Sequence, residues 1–221
     1  MKLLVSALTK FLRGVVLAFA LVFLPAGSLD FFGGWLFMAI LFIPIFILGV
    51  VLFVKSPSLL EKRLASKEKE GTQKGVVGAS ALIFIVGFIL AGLDFRFGWS
   101  NLHIAVSIAA SVLFLLSYLL YAEVMRENAY LSRTIEVQEG QKVVDTGLYG
   151  IVRHPMYMAT TLLFLMIPLI LGSLIAFVLF LLLPLLLAVR IKNEEKVLLE
   201  GLDGYAEYTK KVKYRLIPFI W

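Results

Sequence analysis

The sequence predicts an all-α polytopic membrane protein of about six transmembrane helices, with a helical hairpin in its C-terminal half. Three observations predict it. Apolar residues make up 61% of the 221-residue chain and charged residues 16%, whereas a soluble domain carries about a quarter charged residues. The apolar residues are gathered into long blocks that meet or approach the roughly 20 residues a helix needs to cross a bilayer. Basic residues, finally, fall almost wholly on one side of the arrangement those blocks define.

The first span lies near Gly14–Gly27, short and entered by Lys10 and Arg13. A basic start followed by an apolar stretch and small residues after Pro25 also has the layout of a signal peptide, a competing reading of this segment. The second span, Trp35–Val54, is apolar throughout, and the third and fourth run over Gly75–Leu93 and Leu102–Ala122. Pro155–Val189 holds 35 residues without a charge, too many for one helix. Gly172-Ser173 sits at its centre, and both are turn residues, so two helices joined by a tight turn are expected. Six spans put both termini on one side.

Charge supports that arrangement. Of the 21 basic residues, 20 lie in the N-terminal tail, the loop after span two, the segment after span four or the C-terminal tail. Arg96 alone falls opposite. The positive-inside rule assigns the basic side to the cytoplasm, so both termini and any chemistry in the polar segments are expected there. The net charge of +6 is then accounted for by topology and anionic lipid, and no nucleic-acid partner is implied. The polar stretch Lys55–Lys74 (KSPSLLEKRLASKEKEGTQK) reads either as a solvated linker or as an interfacial helix with Leu59, Leu60 and Leu64 facing lipid.

Several chemistries are excluded. There is no cysteine, hence no disulfide, thiolate ligand or catalytic thiol. With His103 and His154 the only histidines, no metal site is expected. No G-x-G-x-x-G, P-loop or H-E-x-x-H pattern occurs, so any cofactor must be held by helix ends and short loops.

Two polar segments stand out, Gln141–Tyr157 (QKVVDTGLYGIVRHPMY) and Arg190–Trp221. The hairpin 155–189 connects them and returns the second beside the first. The chain thus divides into an N-terminal membrane region of four helices, 1–122, and a catalytic region, 123–221. Asp145-Thr-Gly147 reads as a turn, and Pro155 suits the first turn of a helix, where its missing N–H costs nothing. Arg153 and His154 then stand at a helix N-terminus, which attracts anions. Arg190 and Glu194 are four apart and share one helix face, followed by Glu195 and Leu198.

Gly147-x-Tyr149, Arg153-His154-Pro155-x-Tyr157 and Arg190-x-x-x-Glu194-Glu195-x-x-Leu198 together resemble the isoprenylcysteine carboxyl methyltransferase family, a pattern shared in general form by phospholipid methyltransferases. The likeness is closer to the prokaryotic members, for which Ala91–Ser100 and the ending Gly204–Tyr208, Tyr214–Pro218 and Trp221 also look typical. It reaches from about residue 55 to the end. One departure is Ala159, where the pattern has glycine. The resemblance implies S-adenosylmethionine as methyl donor, bound on the cytoplasmic side by Gln141, Lys142, Val143, Val144, Tyr149, His154, Pro155, Met156, Tyr157 and Glu194. It implies that Arg190 binds the methyl acceptor, so that Arg190 and Glu194 carry the catalysis. The expected acceptor is a lipophilic or lipid-linked molecule arriving from the bilayer, a carboxylate being the case that needs no general base. The competing readings are an NADPH-dependent membrane reductase, since sterol-reductase-like proteins carry a similar C-terminal arrangement, and a non-enzymatic transporter or channel. Against the last, the spans hold almost no ionisable residue, which transport pathways usually need at mid-membrane.

Overall fold

The computed structural model describes residues 2–64, 71–131 and 135–221. Nine helices are defined there, with no strand among the described residues. They are α1 (Lys2–Ala26), α2 (Phe32–Lys55), α3 (Pro57–Leu64), α4 (Gly71–Phe97), α5 (Ile104–Glu127), α6 (Pro155–Ile170), α7 (Leu174–Phe180), α8 (Leu182–Gly201) and α9 (Tyr205–Lys211). Five stretches are long and apolar enough to cross a bilayer, α7 and α8 together forming the fifth, and α6 is a shorter apolar helix. The protein is therefore an all-α, multi-pass membrane protein. Helix boundaries differ from the expected ones chiefly at the start. The first helix begins at Lys2 rather than near Gly14, because the residues before Lys10 are also good helix formers and nothing among them breaks the turn.

Polar contacts sort the helices into two ends. At one end, Lys10 Nζ donates to the Leu64 carbonyl at 2.5 Å and Arg190 Nη1 donates to Gln73 Oε1 at 3.0 Å. At the other, the Asp94 carboxylate accepts from the Ser100 amide at 2.6 Å and from the Ser100 and Ser173 hydroxyls at 2.7 and 2.5 Å. Ser173 also caps α7, its Oγ accepting from the Ala176 amide. Gly172 takes the left-handed φ of +75° that closes the turn between α6 and α7. The hairpin break thus falls at Gly172-Ser173, and its tip is fastened to the end of α4.

Between the ends, α1 packs on α4 and α5 lies along α6. The approach of α1 to α4 depends on Gly92, where a Cβ would stand 2.6 Å from the Val22 carbonyl. Phe84, Phe88 and Phe180 stack edge-on or tilted in the interior beside Phe37. The exposed large side chains, such as Leu24, Val54, Leu119 and Val178, face outward from the bundle, where a bilayer supplies their apolar partner.

Within Lys55–Lys74, residues 57–64 form α3 and residues 65–70 lie outside the described residues. The expected lipid-facing row is not formed. Leu60 is buried, and Leu60 and Leu64 line an apolar cavity instead, because α3 folds in against α2 and under the Lys10 ammonium.

Candidate active site

The site lies at the basic end, where the segment between α5 and α6 meets α8, α9 and the tail. A short 3-10 turn, Gly147–Gly150, enters it. Gly147 has φ +55°, and a Cβ there would collide with the Glu127 carboxylate, which accepts the Leu148 amide at 3.0 Å. Only glycine permits that approach. Tyr149 is thereby buried, its hydroxyl accepting from Asn128 Nδ2 at 3.0 Å and its carbonyl accepting from the Tyr208 hydroxyl at 2.7 Å.

Two cavities of opposite character meet here. The polar one, about 90 Å³, is lined by Gln141, Lys142, Val143, Val144, Tyr149, His154, Met156, Tyr157 and Glu194. These are nine of the ten residues expected to hold a cofactor. Pro155 is the exception: fully buried at the first position of α6, it shapes the helix start and does not line the cavity. Asn128, Tyr130, Leu198, Leu202, Tyr205 and Tyr208 complete much of the wall. The apolar cavity, about 860 Å³, runs among α1, α2, α3, α4, α5, α6 and α8 and includes Arg63 and Arg190 in its lining. Met156 and Tyr157 belong to both.

Tyr157 joins the two chemically. Its hydroxyl donates to Glu194 Oε2 at 2.5 Å and accepts from Arg190 Nε at 2.9 Å. The i, i+4 spacing of Arg190 and Glu194 along α8 sets one group in each cavity, with the phenol between them. The structure brings these three together, and with them Gln73, which the sequence did not reveal; it accepts from Arg190 Nη1 and is fully buried at the start of α4.

Glu195 does something different from its neighbour. It is buried, with Arg153 Nε at 2.8 Å, His154 Nε2 at 3.3 Å and Arg215 Nε at 2.7 Å from its carboxylate oxygens. The tail is tied to the same place, since the Arg153 and His154 amides donate to the Tyr214 and Arg215 carbonyls, both at 2.9 Å. The expected anion site at Arg153 is therefore corrected: its Nε is paired with Glu195 and its Nη1 lies 3.5 Å from the Thr209 carbonyl. A signal for Glu195 does exist in the sequence. Leu183, Leu187, Ile191 and Glu195 repeat every four residues and form one buried stripe of α8.

Burial pushes the Tyr149, Tyr205 and Tyr208 phenols above their ordinary range. They stay protonated at neutral pH and are not bases there. The Tyr205 hydroxyl is buried on the wall of the polar cavity without a hydrogen-bond partner among the described residues. An unmatched buried donor costs free energy, which a polar ligand atom in the cavity would offset. Lys142, Gln141 and Glu194 offer partners for a zwitterionic amino acid, and the valines and tyrosines offer flat apolar contact for a purine. The donor set fits a nucleoside carrying an amino-acid group. The cavity is below the roughly 300 Å³ at which small-molecule pockets usually begin, so such a ligand must widen it.

Residues 104–200 match the sequence profile of the isoprenylcysteine carboxyl methyltransferase (ICMT) family. That match runs from the start of α5 almost to the end of α8 and takes in Tyr149, His154, Tyr157, Arg190 and Glu194 of the site. Over 91 residues the chain is also 31% identical to the Delta(14)-sterol reductase of Mus musculus, covering 40% of this chain and 22% of that protein. The match thus spans about a fifth of the reductase.

Proposed function

We propose that the protein is an integral membrane methyltransferase that uses S-adenosylmethionine and acts on a lipophilic or lipid-linked acceptor. The observation that carries this reading is the shared wall: Tyr157 lines both cavities and hydrogen-bonds Glu194 on one side and Arg190 on the other. Bound S-adenosylmethionine would supply an electrophilic methyl group on a cationic sulfur. Gln141–Val144, Tyr149, His154, Met156, Tyr157 and Glu194 are the residues to hold it, with Pro155 fixing the helix start beneath them. The Glu194 carboxylate places negative charge where a cationic ligand is to sit.

Arg190 is assigned to the acceptor. Its guanidinium, fixed by Tyr157 and Gln73, lies at the end of the apolar cavity and can orient an incoming head group against the shared wall. Orientation of this kind is a large lever, about 7–11 kcal/mol in well-aligned intramolecular reactions. Apolar walls on one side and buried tyrosines on the other limit water at the junction. The positive-inside rule supports placing the site and both termini on the cytoplasmic face.

A second reading, reduction with NADPH, draws on the likeness to the mouse sterol reductase. The polar cavity argues against it. Its lining cations are Lys142 and Arg153, and Arg153 is committed to Glu195, which leaves little to meet three phosphates. Calorimetric titration of detergent-purified protein with S-adenosylmethionine and with NADPH decides between them. Binding of the first and not the second is expected; the opposite result refutes the methyltransferase reading.

A further inference from the structure

Residues 216–221 form a turn whose outer side chains are apolar and uncovered. Phe219 is 86% and Ile220 77% exposed, and Ile217 is exposed as well. The turn follows directly on the part of the tail that closes the candidate site, in a stretch rich in lysine. We propose that this turn is a membrane anchor for the tail, with Phe219 and Ile220 inserted into the leaflet on the basic side of the bilayer. The inference stands on the fold alone and is independent of the methyltransferase reading.

Depth is the first argument. Leu216 is buried in a cluster with Tyr157, Leu187 and Ile191, and Trp221 packs against the same cluster. Leu187 and Ile191 precede Glu194 by 7 and 3 residues, so at 1.5 Å per residue the turn sits about 5–10 Å to the apolar side of Glu194. Interfacial segments bury their apolar face to about that depth, roughly 5–10 Å into the boundary between head groups and acyl chains. Leu185 and Val189 of α8 are exposed at the same level and belong to the fifth membrane-crossing stretch. The hydrocarbon that covers them is continuous with the space around the turn.

The backbone is the second. Main-chain polar groups entering lipid must find partners within the protein. The Leu216 and Ile217 amides donate to the Trp221 main-chain oxygen at 2.8 and 3.0 Å, and the Ile220 and Trp221 amides donate to the Ile217 carbonyl, both at 3.1 Å. Pro218 has no N–H to satisfy. Phe219 has a φ of +67°, the one positive value among the described non-glycine residues. A bulky residue rarely adopts it, and here it accompanies a ring turned outward.

Flanking groups suit a head-group region. The Arg215 guanidinium lies 5.5 Å from the Trp221 ring centre, and Lys210 and Lys213 are exposed, where anionic lipid attracts them. Three exposed side chains are far too few for a second copy or a soluble partner, since a stable protein interface buries about 800 Å² on each side. The anchor also bears on the site. The Tyr214 and Arg215 carbonyls accept from the Arg153 and His154 amides, and Arg215 pairs with Glu195, so lipid contact at 219–220 holds the tail where those bonds form.

The chain has no cysteine, so single nitroxide labels can be placed on the full-length protein without removing any native thiol. Ile220→Cys, Leu185→Cys and Lys210→Cys are labelled and reconstituted in nanodiscs of phosphatidylcholine and phosphatidylglycerol. Relaxation of the label at 220 by oxygen is expected to exceed that by a water-soluble nickel chelate, as at 185, with the reverse order at 210. A label at 220 that behaves like the one at 210 overturns the anchor, and spin–spin broadening at 220 without oxygen contact assigns the surface to a second copy instead. A label-free check is trypsin cleavage after Lys213 in the same nanodiscs. Phe219→Ser with Ile220→Ser should be cut at least about tenfold faster than wild type, because the exposed side chains have little to lose but lipid. Equal rates overturn the proposal.

Discussion

Glu194 and Glu195 are adjacent, yet their removal should have opposite consequences. Glu195 has a side chain 7% exposed and Arg153 one of 8%, with Nε and Oε1 2.8 Å apart. Replacing Glu195 with alanine strands Arg153 in that setting, and breaking such a buried pair costs about 3–5 kcal/mol. Arg215, at 35% exposure, adds less because solvent screens it. For a chain of this size each kcal/mol moves the melting temperature by about 2–4 °C, so Glu195→Ala should melt roughly 6–20 °C below wild type. Glu195→Gln, which keeps the shape and some hydrogen bonding, should fall less far. Glu194 is half-buried and donates nothing to the Arg153 node. Glu194→Ala should melt within about 3 °C of wild type, the effect of roughly one lost hydrogen bond, while S-adenosylmethionine affinity drops at least tenfold. Thermal melts and cofactor titrations on the same detergent preparations decide this. Equal melting of the two alanine variants would refute the division of roles.

Tyr157→Phe removes the phenol between Arg190 and Glu194, two bonds to charged groups of about 1.5–3 kcal/mol each before direct Arg190–Glu194 pairing recovers part. Turnover should fall about ten- to a hundredfold at saturating cofactor, and unchanged turnover would count against the shared wall. Stability should be level with pH up to about 10, the unfolded tyrosine value, and then decline as pH rises towards the raised folded values. The folded chain there holds protons that the unfolded chain has released, and Tyr205→Phe should make the decline shallower; an unaltered slope in melts from pH 8 to 11 refutes that assignment. Reporter fusions after Asp94 and after Trp221 should give opposite sidedness, and like signals would overturn the topology.

Much of the fold was legible because it follows from local rules. Long apolar blocks need no tertiary knowledge, and Gly172-Ser173 in the middle of 35 uncharged residues can only be a turn. The C-terminal half of the site was legible for a related reason: the hairpin returns α8 to the start of α6, so Tyr157 and Glu194 must approach each other. What escaped was set by distance and by competition between partners. Arg63 lies 93 residues before Met156, and Gln73 lies 117 residues before Arg190, with no periodicity linking them. Arg153 at a helix start looked available to a ligand, because the sequence does not say that Glu195 has turned inward. The stripe Leu183, Leu187, Ile191, Glu195 carried that information, but an acid at a stripe's end reads as the first solvated residue unless its counter-charges are known.

The two sides of the polar cavity differ in how firmly they are held, and this bears on how a cofactor enters it. One side is α6, α8 and the tail, joined through Glu195, Arg153, His154 and Arg215 and through the backbone bonds to Tyr214 and Arg215. Displacing any part of it breaks several buried bonds together. The facing side, from Ile135 to Val144, includes among its hydrogen bonds the Gln141 amide to the Gln138 carbonyl, the Gln138 amide to Gln141 Oε1, the Gln138 side-chain amide to the Tyr130 carbonyl and the Tyr130 hydroxyl to the Gly140 carbonyl. Val143 packs beside Val137 on Leu202, Tyr205 and Tyr208, the main apolar contact fastening that strip. A cavity of about 90 Å³ must widen for a nucleoside-sized ligand. Under the proposed function, a cofactor would sit between this strip and the side that carries Tyr157, Glu194 and Arg190. Geometry at the shared wall is thus set before either ligand binds, which is what alignment of two separately bound reactants requires.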